Sequence, residues 1–305
     1  NAIYQSGNNS ITITADKLLI NTFSNADKAN GIGADNTFNP TKQTMTVNGD
    51  VDININSSSG AGIKTRGNAE TIINGDLTVN TNGKPYNYYS GQGIYASTDY
   101  GVGTGKYERD FGGVVVVNGA TNISGNGAGV VANGGGSVIS LNGDVNITAV
   151  ANRNPALIAE SATINVNQNG DKKVNISGNI VANTHGEADT EAEKNTIVNL
   201  NMDTKESTLT GVAFNAFPLE GVGTNHEAKG YINLGLSNGA TWNNEQKGGL
   251  QLYSDYEISN GWYPENTIVD FAGSHISTFK GGTSAETAGN IFQKDSKDLT
   301  IDNYS

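Results

Sequence analysis

Residues 84–111 concentrate the side chains best suited to recognition. Tyr86, Tyr88, Tyr89, Tyr95, Tyr100, Tyr107 and Phe111 fall there, including half of the chain's 12 tyrosines. Lys84, Lys106, Glu108, Arg109 and Asp110 are interleaved with them. Tyr combines a flat apolar face with a hydroxyl tip, which suits both sugar rings and protein surfaces. The stretch is either a binding surface or a flap of rings packed on its own scaffold. As a binding surface it uses Tyr86, Tyr88, Tyr89, Tyr95, Tyr100, Tyr107 and Arg109. A second decorated segment, 217–230, carries Pro218, Glu220, His226 and Glu227.

Catalytic patterns are sparse. Gly235-Leu236-Ser237-Asn238-Gly239 matches G-x-S-x-G, but a nucleophile elbow needs a helix after the turn. Ala240-Thr241-Trp242 continues as strand instead, so the pattern reads as a turn. His185, His226 and His275 are the only histidines, and none lies four residues from another. His185 sits among Glu187, Asp189, Glu191 and Glu193, whose oxygens could hold Ca²⁺ weakly. Without a glycine-punctuated loop the run reads as solvated charge. Asp50 and Asp76 occupy equivalent places in a repeat, and Asp16 extends the column. Stacked carboxylates could hold a cation or act as an acid/base pair. They could equally be turn residues that follow glycine. Ala120 interrupts the column. No cofactor or metal is expected.

What must position these groups is set by composition. The chain has 305 residues, 43 Asn, 40 Gly, 5 Pro and no Cys. Zero cysteine excludes disulfides, thiolate metal sites and thiol nucleophiles. No apolar run approaches the ~20 residues of a membrane span. The net charge of -12 and only three arginines (Arg66, Arg109 and Arg153) argue against nucleic acid as a partner. Hydrophobic residues make up 35% and charged residues 16%, so the chain is neither core-rich nor charged enough for ordinary disorder. It begins at Asn1 without a signal pattern, which predicts a fragment of a longer precursor.

A repeat resolves the composition. Asn-Gly-Asp recurs at 48–50, 74–76, 142–144 and 169–171, with Asn118-Gly119-Ala120 as a variant. Alternating apolar residues flank it: Met45 and Val47 before, Val51 and Ile53 after, then Leu77 and Val79, Ile123, Val145 and Ile147, and Val174 and Ile176. This predicts strand–turn–strand. A second element follows, as Gly60-Ala61-Gly62-Ile63, Gly91-Gln92-Gly93-Ile94 and Gly127-Ala128-Gly129-Val130, with fainter copies at 29–34, 155–160 and 211–216. Asn122-Ile-Ser124, Asn146-Ile-Thr148 and Asn175-Ile-Ser177 match the glycosylation pattern but fall in one strand column of the repeat.

Parallel strands need long crossovers, and no helical period is present to supply them. The crossovers must themselves be strand. The expected fold is all-β, a right-handed parallel β-helix (a solenoid) of roughly 10 turns stacked at ~4.8 Å with extruded loops. A single unit over 1–305 is expected, with insertions near 84–112, 184–194 and 217–230. Asn stacked over Asn favours ladders.

On these residues the chain resembles the passenger domain of a Gram-negative autotransporter, a type V secreted protein. The Asn-Gly-Asp and Gly-x-Gly-Ile turns look like passenger rungs. Leu236-Ser237-Asn238-Gly239-Ala240-Thr241-Trp242 looks like the Trp-containing rung near the passenger's C-terminal end. Leu299-Thr300-Ile301-Asp302-Asn303-Tyr304-Ser305 looks like a strand leading into the last rungs. The resemblance implies a truncated passenger at the bacterial cell surface, displayed from the outer membrane. It implies a non-enzymatic adhesin that binds host or bacterial surface glycans or proteins through its loops. Serine-protease passengers carry Gly-Asp-Ser-Gly, which is missing here. Two alternatives stand: rods that self-associate to drive aggregation and biofilm, or a polysaccharide-active enzyme using Arg66, Arg109 and Asp76.

Overall fold

Branched residues at alternate positions, punctuated by glycine, form short parallel strands. The computed structural model describes residues 2–7, 9–24, 29–36, 40–57, 60–83, 91–98, 111–149, 155–183, 196–215, 230–248, 250–251, 268–269 and 273–305. The architecture is all-β. Among the described residues there is no helix, and so none long and apolar enough to cross a membrane. An eight-stranded and a 17-stranded sheet contain nearly all the strands. One small antiparallel pair, Leu250–Gln251 with Ile268–Val269, stands apart.

The larger sheet holds two stacks, so the chain has three. Stack 1 is Ile3–Ser6, Ile32–Asn36, Ile63–Gly67, Ile94–Ser97, Val130–Asn133, Leu157–Glu160, Ile180–Asn183 and Ala213–Phe214. Stack 2 runs through Ala69–Ile73, Val114–Val117, Val138–Leu141, Thr163–Val166, Ile197–Met202, Tyr231–Leu236, Gly273–Lys280 and Asp298–Tyr304. Stack 3 runs through Leu77–Thr81, Thr121–Gly125, Val145–Ala149, Val174–Ser177, Thr208–Thr210, Thr241–Asn244 and Asn290–Gln293. The long strands Ile11–Phe23 and Gln43–Asn56 pass through both stacks 2 and 3. Over most of its length the chain visits stacks 1, 2 and 3 in turn and then returns to stack 1. That order is compatible with a solenoid, with the Asn-Gly-Asp element supplying two of the three strands per turn.

The register aligns like with like. In stack 1, Ile32, Ile63, Ile94, Val130, Leu157 and Ile180 lie over one another. All are fully buried. In stack 3, Val51 lies over Leu77 and Ile53 over Val79 in the same way. Each such side chain contributes roughly 1.5–3 kcal/mol by leaving water. Trp242 is the largest buried side chain among the described residues, and its Nε1 donates to the Gly211 carbonyl at 2.9 Å.

Glycine is required where turns approach. A Cβ on Gly75 would lie 2.3 Å from the Gly49 backbone, and one on Gly119 would lie 2.3 Å from Gly75. Across the core, a Cβ on Gly93 would strike Ile123 at 2.4 Å. Both repeated elements predicted from sequence are therefore steric necessities of stacking. One rung escaped the sequence pattern. Ile180–Asn183 pairs with Leu157–Glu160 and with Ala213–Phe214, but Gly178-Asn179-Ile180 lacks the Gly-x-Gly signature.

Candidate functional site

As far as Asn244 the long connectors attach to one stack; beyond it, 245–272 leads from stack 3 to stack 2 and 281–289 joins stacks 2 and 3. Through Asn244 the corners between stacks 2 and 3 are short: 74–76, 118–120, 142–144, 167–173, 203–207 and 237–240. The connectors at the ends of stack 1 strands extend to 82–93, 98–113, 184–196 and 215–230. The expected insertions at 84–112, 184–194 and 217–230 thus all flank stack 1. Tyr86, Tyr88, Tyr89, Tyr100, Tyr107 and Arg109 lie outside the described residues, as do His185, His226 and the acidic run 187–193.

Tyr95 is described. It points outward from Ile94–Ser97, half-buried, with the Lys64 ammonium 5.5 Å from its ring centroid. Cation and ring face attract at this range. Tyr95 also packs on an apolar cluster of Ala128, Val131 and Ile158, separate from the main core. Its row continues as Val131, Ile158 and Val181, one per turn. These three alternate with core-facing residues, yet all are buried. Stack 1 is therefore apolar on both faces along this row.

Toward the chain's start the same row changes character. Tyr4, Gly33, Lys64 and Tyr95 are in register. Beside them Arg66 donates to the Asp35 carboxylate through Nη2 at 2.6 Å and Nε at 3.1 Å. Burial pushes the Tyr4 hydroxyl above its usual range, and the charge of Asp35 adds to the rise. Gly33 leaves a hollow of 140 Å³ between Tyr4 and Lys64, lined also by Asn30 and Asp35. Ring, carboxylate, guanidinium and amide together form a polar niche. Sequence reasoning did not single it out, although the alignment of 29–34 with 60–65 and 91–96 places Gly33 over Lys64 and Tyr95.

The Asp column has a different role from charge chemistry. The Asp50 carboxylate accepts the Asp76 N–H at 2.9 Å, and Asp76 accepts the Ala120 N–H at 2.7 Å. Asp144 accepts the Lys173 N–H at 3.0 Å. Each Asp staples the next turn's backbone, which tolerates Ala120 because only its N–H is used. Asn forms the ladder: Asn74, Asn118 and Asn142 each donate to the Asn one turn back, at 2.7, 2.8 and 2.9 Å.

Other expectations resolve locally. Ser237 follows the strand Tyr231–Leu236, and Asn238 and Gly239 come next with φ of 51° and 81° before Thr241–Asn244, so the G-x-S-x-G match is a turn. Asn122, Asn146 and Asn175 lie in one register column. His275 pairs with Asp302 at 2.7 Å on the last two strands of stack 2. Arg66 engages Asp35 on stack 1, whereas Asp76 sits at the corner of stacks 2 and 3, so the two are not brought together. Among the described residues no three His, Asp or Glu side chains gather as metal ligands would.

No family model, curated protein or solved structure matches the chain.

Proposed function

We propose that the chain is the right-handed β-helical rod of a bacterial surface adhesin of the autotransporter passenger type. It acts without catalysis, outside the cell and displayed from the outer membrane. It binds a host or bacterial surface glycan or protein through the segments attached to stack 1. The observation that carries this reading is the asymmetry of the connectors. Through Asn244, chain length varies widely at stack 1 and little at the corner of stacks 2 and 3. Loops carried by a rigid scaffold are where recognition concentrates. Tyr86, Tyr88 and Tyr89 fall in the 82–93 connector and Tyr100 and Tyr107 in 98–113. Both attach to the strand that carries Tyr95, whose ring lies near Lys64 of the Tyr4–Arg66 niche.

The test is a glycan and matrix-protein array probed with the intact chain and with a form lacking 84–90 and 99–110. Binding that survives the trimming overturns the assignment to these segments. A second reading has its own support. The Asn ladder along 48, 74, 118 and 142 carries no insertion, so two rods could pair along it and drive aggregation. Sedimentation separates the two: a dimer abolished by charge reversal on that corner favours association.

A further inference from the structure

A second surface lies on stack 2. Strands Ile197–Met202, Tyr231–Leu236 and Gly273–Lys280 run side by side there, with Asn199, Asn233 and Thr278 in one register row. Asn201, Gly235 and Lys280 form the next row. Residues two apart on a strand share a face, so both rows point outward. Between them opens a cleft of 530 Å³, walled on one side by Gln168 and rimmed by Ser305. That volume is within the ~300–1,000 Å³ usual for small-ligand sites.

The cleft is built by a missing side chain and held by fixed amides. A Cβ on Gly235 would lie 2.4 Å from Asn201 Oδ1, so glycine makes room for the Asn201 amide on the floor. Asn201 Nδ2 donates to the Gln168 carbonyl at 2.9 Å. Asn233 donates to Asn199 at 2.8 Å, and Asn199 donates to Asn165 at 2.9 Å. Each amide group carries two N–H donors and an oxygen with two lone pairs. A ladder bond uses one donor and one lone pair, so the second N–H of Asn199, Asn201 and Asn233 stays available. The ladder also ends here. Among the described residues nothing donates to Asn233 Oδ1, and Thr278 takes the next position in place of Asn.

Charge narrows the ligand. Lys280 makes no ion pair among the described residues, and no Asp or Glu side chain lines the cleft. Lys280 is the one charged side chain of the lining; it acts electrostatically on Asp203 outside the cleft and offers its ammonium to an anion within it. No aromatic ring lines it, so stacking is not the mode of recognition. Adjacent donors and acceptors in fixed positions match neighbouring hydroxyls, and one ammonium matches one carboxylate.

We propose that this cleft binds a carboxylated sugar, with Lys280 on the carboxylate and Asn199, Asn201 and Asn233 on the hydroxyls. The site is independent of the stack 1 segments. Calorimetric titration of the full chain with trigalacturonate, 3′-sialyllactose and maltotriose tests it. At least one acidic sugar should bind at least tenfold more tightly than maltotriose, and the pair shows whether a uronate or a sialylated chain is preferred. Lys280→Gln should remove that tenfold margin. Gly235→Ala should weaken binding at least tenfold by displacing Asn201. Asn233→Asp, which sets a like charge against the ligand, should do the same and serves if either other variant loses its strand signal in circular dichroism. Deleting 99–110 should leave the affinity unchanged. Failure of all three sugars to bind, equal binding of maltotriose, or unchanged affinity in the variants overturns the proposal. Loss of acidic-sugar binding on deleting 99–110, with the three cleft variants unaffected, moves the site to stack 1.

Discussion

Stack 1 and the corner joining stacks 2 and 3 obey opposite rules. At the corner each turn repeats the last: Gly under Gly, Asn donating to Asn, Asp stapling a backbone N–H. The ladder runs where the corner keeps three residues, at 74–76, 118–120 and 142–144. Stack 1 has a core face as regular as any, but its outer face changes from Tyr4 and Lys64 to buried Val131, Ile158 and Val181. Its strand ends accept connectors of very different length. Stability at the corner comes from repetition along the stack. Stack 1 keeps its core contacts while its ends vary, which frees those ends to carry function.

The strongest way to break this contrast is through the core that both regions share. Trp242→Ala should cost about 3–5 kcal/mol, since it removes the largest buried side chain among the described residues and its bond to Gly211. Urea unfolding followed by far-UV circular dichroism checks it. A small shift of the midpoint would mean that stack 3 tolerates a large void.

A smaller effect separates the outer faces. Val131→Thr on stack 1 should cost ~1–3 kcal/mol, because it buries a hydroxyl in an apolar cluster. Val116→Thr, outward and half-buried on stack 2, should change stability by about 0.5 kcal/mol or less. Equal thermal shifts for the two variants would erase the distinction between these faces.

The ladder itself is testable. Asn118 accepts from Asn142 and donates to Asn74, so Asn118→Ala should cost about 1–2 kcal/mol. Asn146→Ala, in the stack 3 column, removes no comparable bond and should stay within about 0.5 kcal/mol. Amide hydrogen exchange should show faster opening at Asn74 and Asn142 in the first variant only.

The smallest expected effect is one of charge. Burial pushes the Asp203 carboxyl above its ordinary range and Asp171 adds to this, while Lys280 pulls the other way. A folded-state pKa above the unfolded one means that folding favours the protonated form. The penalty is absent below the unfolded value of about 3.9, grows as pH rises through the folded value and is constant above it. Asp203→Asn should therefore melt slightly higher than the parent at pH 7 and at the same temperature near pH 3. An equal difference at both pH values would assign the effect to packing instead.

How much of this was legible can be judged residue by residue. The Asn-Gly-Asp corner was readable because its causes are local: a tight turn favours Asn and Gly, and period-two alternation marks its flanks. Tyr95 was readable as an outward ring, since it alternates with Ile94 and Ala96. The two roles of the corner side chains were not. Asp50 and Asn74 stand in one tripeptide pattern, yet one holds backbone and the other builds a ladder, and only the stacked geometry separates them. Val131 and Ile158 take the place of Tyr95 in the repeat and so read as outward, but nothing local says that they are buried there in a second apolar cluster. The rung at Ile180–Asn183 was hidden because Asn179 stands where the pattern has glycine.

The sequence alone determined the parallel all-β architecture and the stacking unit, because strand period and turn chemistry act within a few residues. Tertiary structure decided which surfaces face outward together. The Gly33 niche and the Asn199–Lys280 cleft join residues a full turn or more apart in the chain. Their meeting depends on connector lengths summed around each turn, a quantity that no local pattern encodes.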